Sequence, residues 1–176
     1  MTWYEAALLI PVVVLAALTI VYTLRLGAGP VPSNRAQIDA MLTMLAPIDA
    51  SPIYELGAGF GRLAFAVSAR FPERQVVAIE LSPVPYWGCR LQQLFRKRPN
   101  LTFRRADFLK LPLNDAKVLL TFVHTTAMAA LADKLTVECK GAHLLSHTFS
   151  VRGWTPVKTA RVADLYNSPV YLFRVS

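Results

Sequence analysis

The chain has 176 residues, a length typical of one domain, and 54% of them are hydrophobic, which is high for a soluble protein. Its net charge is +8, and its two cysteines, Cys89 and Cys139, show no C-x-x-C pattern and no histidine at ligand spacing. The cysteine pattern therefore predicts two free thiols and no metal site. The positive net charge makes an anionic membrane surface or a nucleic acid the customary partners to consider.

An apolar helix is the first predicted element. Residues 6–24 contain no charged side chain and are bounded by Glu5 and Arg25. A helix of this length, at about 1.5 Å per residue, reaches across most of a hydrocarbon core of about 30 Å. A cleavable signal peptide would need basic residues before the apolar run, and none precedes Arg25. A buried core helix is the remaining alternative. We predict an uncleaved transmembrane anchor over residues 1–26, with the lipid bilayer as the partner of residues 6–24.

The distribution of charge predicts an orientation. All 19 Lys and Arg residues follow the apolar run, so the positive-inside rule places the rest of the chain in the cytoplasm and the N-terminus outside, as in a single-pass protein of a bacterial inner membrane. Basic residues cluster only at 96–98 and 104–105, on both sides of a predicted helix-to-strand turn. A solvated turn explains them, and no nucleic-acid partner is expected.

The remainder alternates between strands and helices. After a linker over residues 27–36, a domain is predicted over residues 37–176, whose first helix is capped by Ser33 or Asn34. Such alternation indicates an α/β fold with a parallel sheet, and a final hairpin adds an antiparallel last strand. The predicted strands are 52–57, 75–80, 101–106, 117–123, 142–149, 157–164 and 169–175, and the helices between them are 61–70, 83–97 and 126–138.

A glycine-rich turn follows the first of these strands. Gly57, Gly59 and Gly61 occupy alternate positions, with Glu55 two residues before the first glycine. Alternate glycines permit positive φ and leave backbone N–H groups open to a ligand. A dinucleotide-binding turn, G-x-G-x-x-G, would need glycine at the position of Arg62. The pattern E-x-G-x-G-x-G resembles instead motif I of the class I S-adenosylmethionine methyltransferases, in which Glu55 would attract the cationic amine of the methionine moiety. A simple chain reversal is the structural alternative.

Two further acids end the next two strands. Glu80 ends the second strand, where it can accept hydrogen bonds from both ribose hydroxyls. Asp107 follows the third strand, where it can accept one from the adenine amino group, and Phe108 can line the adenine ring. The order of the seven predicted strands resembles the Rossmann-like sheet of the class I methyltransferases, and the three acids at its strand ends then imply that the site binds S-adenosyl-L-methionine.

A narrower resemblance appears after the second strand. The segment Glu80-Leu81-Ser82-Pro83, followed by Trp87 and Arg90, is similar to the E-L-N-P…W…R segment of the ATP synthase c-subunit lysine N-methyltransferase-like family. Val31-Pro32-Ser33 resembles that family's V-P-T, and Phe149…Trp154-Thr155-Pro156 resembles its F-P…W-x-P. Ser82 replaces the family's Asn, and its V-P after strand four is lost at Val123-His124. The resemblance implies methylation of lysine ε-amines in proteins, and it adds Pro32, Ser33 and Leu81 to the candidate cofactor-binding residues.

Two residues are candidates for catalysis. A lysine side chain, whose ordinary pKa is about 10.4, must lose its proton before it attacks a methyl group, and His124 can accept that proton. Trp154 can hold the cationic amine against its ring. His124 as an ordinary loop residue and Trp154 as a core residue are the alternatives.

Three functions compete at this point. The first is a membrane-anchored protein-lysine N-methyltransferase that acts on a membrane-proximal protein. The second is a phospholipid or small-molecule N-methyltransferase, and the third is a non-catalytic cofactor-binding scaffold. The N-D-P-P-Y type of motif found in enzymes that methylate bases or amides is absent after strand four, which disfavours DNA or glutamine as the substrate.

Overall fold

The structure, a computed structural model, describes residues 3–26 and 33–176. The residues between these ranges, including Pro32 and most of the predicted linker, lie outside the described residues. The helices are α1 (Trp3–Leu26), α2 (Arg35–Leu45), α3 (Arg62–Arg70), α4 (Pro83–Phe95) and α5 (Thr125–Glu138). The strands are β1 (Ile53–Leu56), β2 (Val76–Glu80), β3 (Leu101–Arg105), β4 (Val118–Thr121), β5 (His143–His147), β6 (Lys158–Arg161) and β7 (Pro169–Arg174).

The strands form one seven-stranded sheet in the order β3-β2-β1-β4-β5-β7-β6. Strands β1 to β5 are parallel, and β7 pairs antiparallel with both β5 and β6. The predicted α/β fold with an antiparallel last strand is therefore confirmed. Because helices cover both faces, the central strands β1 and β4 are buried along their whole length.

Two hydrophobic cores lie on the two faces of the sheet. Successive residues of one strand point to opposite faces, so Ile53 joins the core that contains Leu45 and Phe65, whereas Tyr54 joins the core that contains Leu131. At one edge, β6 carries the exposed residues Lys158 and Arg161, which are typical of an edge strand.

Helix α2 begins with a capping box. The side-chain oxygen of Asn34 accepts the N–H of Gln37 at 2.9 Å, and the side-chain oxygen of Gln37 accepts the N–H of Asn34 at 2.9 Å. Of the two predicted caps, Asn34 therefore has the role. Ser33, which precedes it, remains on the side of the sheet where the strands β1 to β5 end.

Helix α1 forms where the sequence predicts an apolar helix, and its apolar side chains are exposed, as in Ile10 and Val12. Among the residues that the structure describes, no helix combines the length and the apolar character needed to cross a bilayer, so the predicted transmembrane helix over residues 6–24 is not confirmed. The helix contacts α4 instead, and Thr19, Tyr22 and Thr23 are its less exposed side chains.

The glycines of the turn after β1 yield a matched test of packing. A Cβ on Gly61 would lie 2.9 Å from Cys89 Sγ and 2.9 Å from Phe103 Cζ at φ +75°, whereas a Cβ on Gly59 would meet no atom within 4 Å at φ +55°. Gly61→Ala should lower the free energy of unfolding by about 2–4 kcal/mol, from left-handed strain and overpacking. Gly59→Ala should cost about 1–2 kcal/mol, from strain alone. Urea denaturation measures both, and equal losses would contradict the packing role of Gly61.

Candidate active site

A cavity of about 500 Å³ lies at the carboxyl ends of the parallel strands, the edge where open α/β sheets bind ligands. It brings together most of the side chains that the sequence singled out, although they are far apart along the chain. The predicted residues that line it are Ser33, Glu55, Gly57, Gly59, Glu80, Leu81, Asp107, Phe108 and His124.

Two of the described site residues predicted from the sequence, Gly61 and Trp154, are not among those that line the cavity. Gly61 caps α3 and faces Cys89 and Phe103, so its role is close packing of helix and sheet. The Trp154 ring packs edge-on against Phe173, with 5.9 Å between the ring centroids, at the hydrophobic core that also contains Leu131. This packing favours the alternative of a core residue, and contact of Trp154 with the amine stays a prediction. Pro32 lies outside the described residues.

The glycine turn exposes backbone to the cavity. Gly57, Gly59 and Gly61 all have positive φ, from +55° to +78°, which glycine adopts without strain. The N–H groups of Gly57 and Ala58 both donate to the carbonyl of Ile79 at 2.9 Å, so the turn is fixed against β2. With no atom within 4 Å of a Cβ at Gly59, the cavity extends directly to the main chain there.

Glu80 connects two loops of the site. Its Oε2 accepts the N–H of Gly59 at 2.7 Å, and its Oε1 accepts the N–H of Ser82 at 2.7 Å. The side chain is buried, so these charge-assisted bonds fix the carboxylate at the cavity wall. Since each carboxylate oxygen can accept a second hydrogen bond, the group is suited to a pair of neighbouring hydroxyls.

Glu55 is the most electrostatically unusual group in the cavity. Its pKa is raised to about 8, mainly by burial and to a smaller extent by the negative charge of Glu80, while a hydrogen bond from the backbone of Ala64 acts in the opposite direction. Its Oε2 is buried and has no hydrogen-bond partner among the described residues. A buried acid with an unpartnered oxygen at a ligand cavity fits a cationic amine, which would stabilise the ionised form.

The wall after β3 combines one acid with apolar side chains. Asp107 Oδ1 accepts the N–H of Leu109 at 3.0 Å, which fixes the carboxyl group in the turn after β3. Phe108 and Leu109 lie beside it and line the same cavity, together with Pro83 and Val84 from the start of α4. A polar acceptor beside apolar walls suits a flat aromatic base that carries an amino group.

Aromatic side chains form the opposite end of the cavity. Phe122, directly after β4, stacks on Phe149, which follows β5, with 6.1 Å between centroids. The His124 ring lies 5.7 Å from the Phe149 ring, and the chain turns sharply at Thr148, φ +68°, just before Phe149. We call Phe122, His124 and Phe149 the aromatic end. Sequence reasoning missed Phe122, although its position directly after a central strand was a usable signal.

The cavity is acidic in a basic protein. Its described lining contains Glu55, Glu80 and Asp107 but a single Lys or Arg side chain, Arg62. This charge favours a ligand with positive charge, such as a sulfonium that also carries an amine.

Comparison with known proteins identifies the family. The family model of the ANTKMT methyltransferase domain matches residues 55–158. The chain belongs to this family. It is also similar to the protein-lysine N-methyltransferase of Saccharolobus islandicus (strain REY15A), at 26% identity over 151 residues, which cover 81% of this chain and 91% of that protein.

Solved methyltransferases share the fold of this methyltransferase. An RNA methyltransferase from Salinibacter ruber, in complex with S-adenosyl-L-homocysteine, has a TM-score of 0.71 at 23% identity, covering 82% of this chain and 94% of that one. A SAM-dependent methyltransferase from Aquifex aeolicus has a TM-score of 0.65 at 12% identity, covering 84% and 95%. These likenesses show the fold.

The methyl donor of this methyltransferase is S-adenosylmethionine, and the residues present fit it. Glu80 would accept the ribose hydroxyls, Asp107 the adenine amino group, and Glu55 with the glycine turn would face the amino-acid portion. Bound there, the donor supplies an electrophilic methyl group on a sulfonium. The protein's own contribution to methyl transfer is to align the nucleophile with that methyl group and to exclude water.

Cofactor binding should release a proton from Glu55. Below a pKa of about 8 the free enzyme holds Glu55 protonated, and a neighbouring cation lowers that pKa, so the proton leaves when S-adenosylhomocysteine binds. Calorimetry at about pH 7 in buffers of different ionisation enthalpy should detect the release of up to about one proton. Release should disappear near pH 9, about one unit above the pKa, where Glu55 is already ionised, and also in Glu55→Gln. Equal release from the wild type and Glu55→Gln would disprove this assignment.

Loss of the Glu80 carboxylate should weaken binding. Glu80→Ala should cost about 1–3 kcal/mol in affinity for S-adenosylhomocysteine, because both the ligand and the N–H of Gly59 lose an acceptor. Glu73→Ala, an exposed acid of the same type, is the control and should bind as the wild type. Isothermal calorimetry measures both, and an unchanged affinity in Glu80→Ala would show that the ribose lies elsewhere.

Proposed function

We propose that this methyltransferase transfers methyl groups to the ε-amino group of lysine in a protein substrate. The observation that carries the proposal is the aromatic end, Phe122, His124 and Phe149, at the part of the cavity opposite Asp107. Aromatic faces contact an alkyl chain and attract a cationic amine. The similarity to a protein-lysine N-methyltransferase over most of that protein's length supports the same substrate class.

The aromatic end also favours the reactive form of the amine. Entry into the aromatic end removes water from the ammonium group, and this desolvation, which opposes the attraction of the rings for the cation, lowers the pKa of the amine. His124 lies next to these rings at the N-cap of α5 and is exposed, so it can accept the proton and pass it to solvent. The neutral amine is then the nucleophile, and the protein needs no covalent intermediate.

A second candidate substrate is the amine of a phospholipid. The observation that favours it is α1, whose Leu18 lines the cavity while the preceding turns of the same helix expose apolar side chains. An acyl chain lying along α1 would bring a lipid headgroup to the mouth of the same cavity, from which its amine would have to reach the aromatic end. The aromatic end would accept either amine, so the two substrates must be distinguished by experiment.

We also propose that the enzyme works at the cytoplasmic face of a membrane. The support is an exposed apolar surface on two helices that contact each other, α1 and α4. Basic residues 96–98 directly follow the exposed apolar side chains of α4, and apolar surface beside basic charge suits an anionic bilayer. The exposed apolar side chains of α4 are Trp87, Leu91, Leu94 and Phe95.

The substrate test uses the full-length enzyme with labelled S-adenosylmethionine and a membrane extract. Label should appear in protein and be found on lysine by mass spectrometry. Phe149→Ala should lower kcat/KM for a lysine peptide about tenfold, the scale of one lost cation–ring contact, while the affinity for S-adenosylhomocysteine stays unchanged.

The control for this test is Phe173→Leu, a core change outside the cavity, which should leave kcat/KM within about twofold. Label found only in the lipid fraction would select the second candidate. If neither fraction is labelled although the protein still binds S-adenosylhomocysteine, the result would support the third function, a non-catalytic cofactor-binding scaffold.

A further inference from the structure

Near its end, helix α1 turns three hydroxyl-bearing side chains toward the protein beside Leu18, whereas most of its described apolar side chains are exposed. Among its described side chains, only Thr19, Tyr22 and Thr23 are partly buried, and the others are exposed. The spacing of three and four residues places the three on one face of the helix. A helix that packs on a domain ordinarily buries its apolar face, because each large apolar side chain gains about 1.5–3 kcal/mol by leaving water.

The three side chains of this polar face all line the cavity. They lie at the end of the cavity where Glu80 and Asp107 would hold the adenosine portion of the cofactor. We place them there because α1 contacts α4, and the first turn of α4 forms the cavity wall next to Glu80. The Arg105 guanidinium, at the end of β3 and two residues before Asp107, donates to the Tyr22 hydroxyl at 3.5 Å. The aromatic end, by contrast, is formed by segments that follow β4 and β5.

A polar ligand in the cavity explains this arrangement. Hydroxyl-bearing side chains that line the cavity can exchange water for hydrogen bonds to a ribose or an adenine. Thr19 donates its hydroxyl hydrogen to the carbonyl of Leu15 at 2.8 Å, so its methyl group and the acceptor lone pairs of its oxygen are what it presents to a neighbour.

We propose that Thr19, Tyr22 and Thr23 are part of the cofactor site and that α1 closes the cavity over the adenosine portion of S-adenosylmethionine. The cofactor site then includes a helix that lies outside the stretch matched by the family model, residues 55–158. Binding is also reciprocal: whatever holds α1 on the domain raises the affinity for the cofactor, and the cofactor holds α1 on the domain by the same free energy.

The first experiment measures S-adenosylhomocysteine binding to the full-length chain by isothermal calorimetry. Tyr22→Ala and the double variant Thr19→Val, Thr23→Val should each raise Kd about 5- to 20-fold, the scale of one or two lost hydrogen bonds. The matched control is Ile20→Ala with Val21→Ala, on exposed positions of the same turns, which should leave Kd unchanged. Comparison of Kd between Tyr22→Phe and Tyr22→Ala separates the contribution of the hydroxyl to the affinity from that of the ring.

Hydrogen exchange provides a readout independent of affinity. In the wild type, S-adenosylhomocysteine should slow amide exchange over residues 19–26, and this protection should be lost in Tyr22→Ala. Unchanged Kd in both polar-face variants, or an equal loss in the Ile20, Val21 control, would overturn the proposal. Because the ligand is the reaction product and no methyl acceptor is present, the outcome does not depend on whether lysine is the substrate.

Discussion

The site depends on one carboxylate. Glu80 accepts the N–H of Gly59 with one oxygen and the N–H of Ser82 with the other, both at 2.7 Å, and so joins the turn after β1 to the start of α4. Parallel pairing of β1 and β2 brings these two loops to the same edge of the sheet. Without that carboxylate, two N–H groups would lose their partners and the glycine turn would lose a tie to the neighbouring strand.

The same carboxylate also contributes to the negative charge of the cavity and to the raised pKa of Glu55. Its negative charge adds to the burial that raises the pKa of Glu55, and Asp107 contributes a third acid to the lining. Two acids in one buried place cannot both be ionised cheaply unless a cation joins them. The cationic amine of the methyl donor therefore completes the charge balance of the site.

Particular residues show what the sequence could predict. The strands β1 and β4 read as short apolar runs, and the acids at strand ends belong to one edge because parallel strands share their carboxyl ends. The three glycines look equivalent in sequence, yet Gly61 differs from Gly59 because Cys89 and Phe103 approach it from distant segments. Phe149 reaches the cavity after a sharp turn at Thr148, whereas Trp154 packs against Phe173. No residue pattern in the sequence marks that turn, so the sequence could not show which of the two aromatic side chains lines the cavity. For α1, the apolar run predicts a helix, but its contacts depend on a few polar side chains near its end.

Cys89 adds a chemical property to the glycine turn. Its thiol is fully buried and donates to the carbonyl of Gly59 at 3.2 Å. Burial, together with the charges of Glu55 and Glu80, raises the pKa of the thiol to about 12. A thiol in this state does not react with alkylating reagents while the turn is closed, because the thiolate is the nucleophile and no reagent can reach it. The rate at which an added alkylating reagent modifies Cys89 therefore reports how often the turn opens spontaneously.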